Sequence, residues 1–280
     1  MSDFVKHPMR SWLFTPATRP DRFASAAASG TDIAILDLED SVAPPDKESA
    51  RQNAVSFITS RQSDKLPLAL RINGLDTPAG IEDLCMLFDC GAQPDYLILP
   101  KTESASHLQI LDRLLTAAGA KTSLIGLIES LRGLNVVETI AGATPRLAGL
   151  MFGAADMAAD IGASISWEPL LQTRCRIINA CAACGIAAID APFFDIHDQD
   201  ALEAEALKAA VYGFTAKASI HPAQISVINT LFTPTEAEIT RARSILAENA
   251  KGVGTLNGMM IDEAVARQAR RTLARAGLSA

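Results

Sequence analysis

Two acids in the stretch from Thr122 to Gly162 have the types and spacing to do chemistry. The apolar run LIGLIE closes on Glu129, and the run LAGLMFG is followed at once by a helical stretch carrying Asp156. Carboxylates at the same ends of two neighbouring strands would form a hard-oxygen site for a divalent ion. Either acid alone reads as well as a helix N-cap or first-turn residue; the pair is what points to a metal. Arg71 comes next, because a charge is out of place at the end of the apolar run LALRI. A guanidinium there could clamp a substrate carboxylate bidentately, or pair with Glu39 or Asp40. Glu39 and Asp40 are expected to orient Arg71 and Lys101 rather than to hold an ion of their own. Asp37, earlier in its strand, is expected to point inward with a structural role. Lys101 suits a substrate carboxylate or the acidic cluster itself, and those neighbours would keep its amine protonated and poorly nucleophilic, which argues against a Schiff base.

The elements that must position these side chains alternate regularly. Strand-like runs at Ser11–Pro16, Asp32–Asp40, Pro67–Asn73, Asp95–Lys101, Ser123–Glu129, Leu147–Gly153, Ala187–Pro192 and Thr215–Ile220 are each followed by helical material. Near-continuous apolar strands separated by helices predict a parallel sheet covered on both faces. Eight such units are the count of a closed (β/α)8 TIM barrel, for which about 250 residues is typical. Arg19, the Asp37–Asp40 cluster, Arg71, Lys101, Glu129, Asp156, Asp190 and His221 all fall at or beyond the C-terminal ends of these strands, the face where barrel enzymes build their sites. The turn TPATRPDR after the first strand has no GxGxxG, so a dinucleotide-binding Rossmann sheet fails its cheapest test.

Residues 1–232 are thus expected to form the catalytic barrel. Residues 233–280 would form a C-terminal helical extension: a helix over Pro234–Ala247, the Gly-rich loop Lys251–Gly258, and a last amphipathic helix over Met259–Gly277. That segment reads equally as a lid or arm onto a neighbouring subunit and as a helix closing the barrel bottom.

Composition narrows the class. The 280 residues are 49% hydrophobic and 20% charged, so a large core is affordable and disorder is not expected. A net charge of −7 lacks the basic face a nucleic-acid binder needs. No signal-like start and no apolar run near the length of a membrane span occur, and the expected location is cytoplasmic. The five cysteines, Cys181-Ala-Ala-Cys184 included, lack the second pair that a zinc site requires and are expected to be ordinary buried thiols.

Several separated motifs together resemble one family. RSWLFTPATRPDRF, AILDLEDSVAPPDKESAR, LRINGLDT, LILPKTES, LIGLIES, FGAADMAADIG, GFTAKASIHPAQI and GMMIDEAVARQARR occur in the order found in the citrate lyase β-subunit-like branch of the HpcH/HpaI aldolases. The resemblance spans Arg10 to about Ala274. It implies a Mg2+-dependent barrel, with Glu129 and Asp156 holding the ion and Arg71 contacting the keto-acid moiety. It further implies an oxo-acid lyase that cleaves or forms C–C bonds in 3-hydroxyacyl thioesters, usually a homotrimer or a hexamer built from trimers. Asp262 in MMIDEA matches a family aspartate that reaches the active site of an adjacent subunit and exchanges a proton with the enolate carbon. Pattern alone makes Asp262 a helix cap. Arg19 and Arg22 are candidates for CoA phosphates, and His221 is expected to be structural. The expected reaction is retro-Claisen cleavage of a short 3-hydroxy dicarboxylic acyl-CoA to acetyl-CoA and a 2-keto acid, with citramalyl-CoA leading because the chain is shorter than many malyl-CoA lyases. The alternatives are a citrate lyase β subunit working on a carrier-protein thioester within a complex, and a malyl-CoA lyase or thioesterase.

Overall fold

The computed structural model describes residues 9–61, 66–251, 254–256 and 259–279. Eight parallel strands close into a barrel in sequence order: β1 (Ser11–Pro16), β2 (Ile33–Asp37), β3 (Leu68–Arg71), β4 (Tyr96–Leu99), β5 (Ser123–Ile128), β6 (Leu147–Phe152), β7 (Ala187–Asp190) and β8 (Ala216–Ser219). The closing pair is β1 with β8, in register from Ser11 opposite Lys217. The helices follow as α1 (Phe23–Ala28), α2 (Lys47–Ser60), α3 (Pro78–Asp89), α4 (Ala105–Ala117), α5 (Leu131–Asn135), α6 (Val137–Ala141), α7 (Ala154–Ile161), α8 (Leu171–Cys184), α9 (Gln199–Tyr212) and α10 (Ile225–Phe232). The expected (β/α)8 barrel is the observed fold.

The strands read as unbroken apolar runs because both of their faces are covered. One face fills the barrel interior, with Ile33 and Ile35 of β2, Ala69 of β3, and Ile125 and Leu127 of β5. The other face, with Leu36, Leu70, Leu124 and Phe152, packs under the helices. Side chains alternate with a period of two, so the interior row continues outward to Asp37, Arg71 and Glu129. On β6 that row needs a correction to reach the mouth. The pairing of β5 with β6 shifts register between Leu124 and Ile125, skipping Ala148. Ala148 and Met151 consequently both face inward, and Gly153 follows Met151 on the mouth side.

The helical material after β5 is two short helices broken at Val136, whose backbone (φ −122°, ψ 20°) leaves the helical region. Beyond the barrel, α11 (Glu236–Asn249) begins with a capping box formed by Thr235 and Glu238. The final helix is shorter than expected: Met259–Ile261 form a strand, β10, pairing antiparallel with β9 (Gly254–Leu256), and α12 spans Glu263–Arg275. Part of the Gly-rich loop Lys251–Gly258 lies outside the described residues. The hairpin, α11 and α12 share their own small core of Ile239, Ala242, Ile245, Ile261, Ala269 and Leu273. The far end of α12, at Ala274 and Arg275, lines a cavity of about 730 Å³ together with Met9, Leu147, Ala187 and Thr215, at the end of the barrel where the strands begin.

Candidate active site

Asp37, the last residue of β2, is buried and accepts from Arg71 Nε (2.6 Å) and Nη2 (2.7 Å). The bidentate edge of Arg71, expected to face a substrate carboxylate, is therefore occupied by Asp37. The sequence reading had missed this partner, although the period-two row from Ile35 to Asp37 carries the signal. What remains of the guanidinium is Nη1, 2.8 Å from Glu39 Oε2 and 3.5 Å from Asp40 Oδ2. The contact with Glu39 is close but not aligned as a hydrogen bond, and Glu39 Oε2 is a buried acceptor without a donor. The Phe14 ring backs the guanidinium, 4.8 Å from Arg71 Cζ.

The loop that carries Glu39 is braced from behind. Lys47 Nζ donates to the carbonyls of Leu38 and Glu39, both at 2.7 Å, and Asn73 Nδ2 donates to Leu38 O at 3.0 Å. Asp37 also accepts from the backbone N–H groups of Glu39 and Ser41, which turns the chain sharply over the barrel mouth. Asp40 reaches solvent, its side chain 59% exposed, so its contact with Arg71 is a weak one.

Glu129 lies one residue beyond β5 and is buried. Its Oε1 accepts from the backbone N–H of Lys101 at 2.7 Å. A Cβ added at Gly153 would fall 2.6 Å from Glu129 Oε2 and 2.5 Å from its Cβ, so only glycine leaves room for this carboxylate. Asp156 stands exposed in the first turn of α7, two residues into the helix. Lys101 follows β4 with its ammonium half-exposed, 3.8 Å from Glu39 Oε1.

The electrostatics are lopsided. Asp37, Glu39, Asp40, Glu129 and Asp156 are set against Arg71, Lys101 and, from behind, Lys47. Burial, with Glu39 and Asp156 nearby, pushes the Glu129 carboxyl up to about 8, only partly opposed by the Lys101 N–H. Burial against Asp40 and Asp37 likewise raises Glu39 to about 7, even with Arg71 beside it. Asp37 goes the other way: burial would raise it, but the bidentate Arg71 holds it below the usual carboxylate range. Burial would lower Lys101, yet Glu39, Glu129, Asp40 and Asp156 together raise it. A buried carboxyl at Glu129 raised by burial and by the neighbouring Glu39 and Asp156 fits a cation beside it, which would restore it to the charged form. Among the described residues no group of three or more His, Cys, Asp or Glu forms a closed cage. An ion on Glu129 and Asp156 would therefore keep several waters, as hard octahedral ions do.

Of the residues singled out in the sequence, Arg71, Glu39, Asp40, Lys101, Glu129 and Asp156 come together. Arg19 does not join them: its guanidinium is held by Asp21 through two bonds (2.7 and 2.9 Å) at the exposed rim. Asp262 caps α12, accepting from Val265 N at 3.0 Å. His221 accepts from Ala223 N through Nδ1, a local cap. Asp190 is a correction: it is fully buried behind the barrel wall, bound to Lys217 and Arg174, and does not reach the mouth. The cysteines are free, but only Cys181 is buried; Cys85, Cys90 and Cys184 are exposed.

The family model for HpcH/HpaI aldolase/citrate lyase matches residues 10–222, most of the chain. The chain belongs to the HpcH/HpaI aldolase/citrate lyase family. An L-malyl-CoA/β-methylmalyl-CoA lyase of Rhodobacter capsulatus is 37% identical, over 93% of this chain and 92% of the relative. Among solved structures, RipC from Yersinia pestis is 64% identical with a TM-score of 0.75, over 85% of this chain and all of that one. CitE from Mycobacterium tuberculosis, solved with magnesium, acetoacetate and coenzyme A, is 35% identical with a TM-score of 0.81, over 96% of this chain and 98% of that one. This family member is an enzyme, a lyase, and the strand ends that gather its acids form the candidate active site. No helix among the described residues is long and apolar enough to cross a membrane.

Proposed function

We propose that the protein is a Mg2+-dependent carbon–carbon lyase of short 3-hydroxy dicarboxylic acyl-CoA thioesters, releasing acetyl-CoA and a 2-keto acid, with (S)-citramalyl-CoA as its leading substrate. The observation that carries the reading is the convergence of Arg71 Nη1, Glu39 Oε2, which has an ion-pair contact but no aligned hydrogen bond, and the buried Glu129 in one barrel mouth. Magnesium held by Glu129 and Asp156 would supply Lewis-acid polarisation of the substrate's hydroxyl and carboxylate oxygens. Arg71, pinned by Asp37, keeps Nη1 for the substrate carboxylate and for the charge that develops as the C–C bond breaks. Glu39, whose carboxyl burial raises to about 7, is suited to take the hydroxyl proton at Oε2. The Lys101 ammonium draws the acidic substrate toward the mouth. At the rim, Arg19 would leave Asp21 for a CoA phosphate, a change between two solvent-exposed partners.

The enolate carbon of the leaving acetyl thioester needs a proton, and Asp262 of a neighbouring subunit in a homotrimer or hexamer is the proposed donor. In this reading residues 233–280 act as an arm and lid over the barrel of residues 1–232. The choice of citramalyl-CoA, which releases pyruvate, would need an apolar neighbour for the methyl group, and the Phe14 ring packed on Arg71 is the candidate for that contact. The likeness to a malyl-CoA/β-methylmalyl-CoA lyase favours the second reading, a malyl-CoA lyase. A panel of thioesters decides between them. The purified protein with Mg2+ is expected to cleave (S)-citramalyl-CoA with a higher kcat/KM than malyl-CoA or β-methylmalyl-CoA. The reverse order assigns it to malyl-CoA, and turnover confined to a carrier-protein thioester assigns it to a citrate lyase complex.

A further inference from the structure

Lys101 is the one residue other than glycine, among those described, whose backbone lies in the left-handed region (φ 46°). A side chain disfavours that conformation, and residues held in it against their preference gather where function requires the backbone to point a particular way. The surrounding turn is built to enforce it. Thr102 N donates to Leu127 O (3.1 Å), and Thr102 Oγ1 donates to Leu99 O (2.8 Å), so both sides of the turn are tied down. Two glycines accept the turn closely. A Cβ at Gly133 would fall 2.5 Å from Thr102 O, and one at Gly126 would meet the Thr102 side chain at 3.4 Å. What this fixed turn delivers is a single hydrogen bond, from Lys101 N–H to Glu129 Oε1 at 2.7 Å. On the other side of the same carboxylate, the missing Cβ of Gly153 leaves the space that Oε2 occupies.

We propose that Lys101 is a positioning residue that acts through its main chain: its left-handed backbone N–H fixes Glu129 Oε1 and thereby presents Oε2 to the divalent ion. The ammonium has a separate task, toward the acidic substrate. The inference rests on the metal site proposed above. It predicts that the backbone conformation at position 101, not the charge, sets metal affinity, because the partners that orient a metal ligand govern how tightly the ligand set binds.

Calorimetric titration of the metal-free protein with Mg2+ separates the two roles without any turnover. Lys101→Gly removes the ammonium but adopts positive φ readily, and is expected to bind Mg2+ within about twofold of wild type while raising KM for the thioester. Lys101→Val, whose β-branched side chain resists the left-handed region, is expected to bind Mg2+ at least about tenfold more weakly, the scale of a lost orienting partner. Should Lys101→Val fail to fold, Thr102→Val removes the Oγ1 bond that pins the turn and is expected to weaken Mg2+ in the same direction. Lys101→Gly losing Mg2+ as fully as Glu129→Gln would overturn the inference, as would wild-type affinity in both Lys101→Val and Thr102→Val. If the wild-type protein itself bound no Mg2+, the metal reading would fall and this inference with it. Wild-type binding that no variant at 101 or 102 disturbs removes only the inference.

Discussion

Buried charge gathers twice in this molecule, once inside the barrel mouth around Arg71 and once behind the barrel wall around Lys217. Behind the wall the charges balance. Lys217 spends its three donors on Asp190 Oδ2, Ala191 O and Glu205 Oε1, each at 2.8 Å. Arg174 takes the other oxygen of Asp190 at 3.0 Å, and its guanidinium lies against the rings of Phe152 and Trp167. Two cations meet two carboxylates, with Arg174 Nη1 left without a hydrogen-bond acceptor. Inside the mouth five carboxylates are set against three cations, Arg71, Lys101 and Lys47, one buried oxygen has no hydrogen-bond donor, and two acids are pushed upward. A charge-balanced ionic cluster ties the wall to its helices; the mouth cluster carries an excess of carboxylates. Strand alternation alone separates them, since Asp37, Arg71 and Glu129 continue the inward row while Asp190 and Lys217 face outward.

The comparison can be broken most forcefully behind the wall. Lys217→Met leaves Asp190 and Glu205 without their shared partner, and removing one member of a buried pair costs about 3–5 kcal/mol. Urea denaturation is expected to show that loss, with wild-type kcat in the fraction that stays folded. A large kcat defect in the folded fraction would place this cluster in the reaction after all.

At the mouth the balance of effects inverts. Arg71→Lys keeps a positive charge but cannot hold Asp37 bidentately while presenting a further donor. Turnover is expected to fall about 10²–10³-fold, the scale of a lost oxyanion donor, with a smaller drop in the urea midpoint than Lys217→Met gives. A variant that loses stability and keeps its turnover would make the two clusters alike.

A smaller effect sharpens the distinction through pH. The folded-state carboxyl of Glu129 is raised to about 8 by burial and by Glu39. Between an ordinary glutamate value and 8 the native protein therefore holds more protons than the unfolded chain, so metal-free stability falls as pH rises through that window. Glu129→Gln, which cannot ionise, is expected to gain on wild type over the same window, by on the order of 1–3 kcal/mol near pH 8 and by little near pH 4. Melting of the metal-free proteins across pH reads this directly. Parallel curves for the two would mean that Glu129 carries no such strain.

The barrel itself was legible because its strands are buried on both faces and its helices punctuate them regularly: β1 occupies the expected Ser11–Pro16 without a shift. The other strands stop short of their predicted ends, and the residues just past those ends, Glu39, Lys101 and Glu129, line the candidate site. Residue type revealed Arg71, Glu129 and Asp156, since charge at the end of an apolar run stands out. It did not reveal Asp37 as the partner of Arg71, because that pairing depends on which face of β2 and β3 looks inward. Asp190 looked like another mouth acid for the same reason: position along a strand is visible in the sequence, but facing depends on register, which the shift in β6 shows is not fixed by counting alone. The left-handed turn at Lys101 left no trace, as a lysine after a proline gives no cue for positive φ. Glu263 opening the last helix four residues later than expected reflects the pairing of Met259–Ile261 with Gly254–Leu256, a contact between segments rather than a local preference.

The central claim is that Glu129 and Asp156 hold the ion on which cleavage depends, and one comparison tests it most directly. Cleavage of (S)-citramalyl-CoA and malyl-CoA is followed in metal-stripped buffer and after Mg2+ is restored, for wild type, Glu129→Gln and Asp156→Asn, with folding checked by circular dichroism. The account predicts turnover in wild type only when Mg2+ is present, and none in either folded variant. Wild-type turnover by both variants in metal-stripped buffer would contradict it.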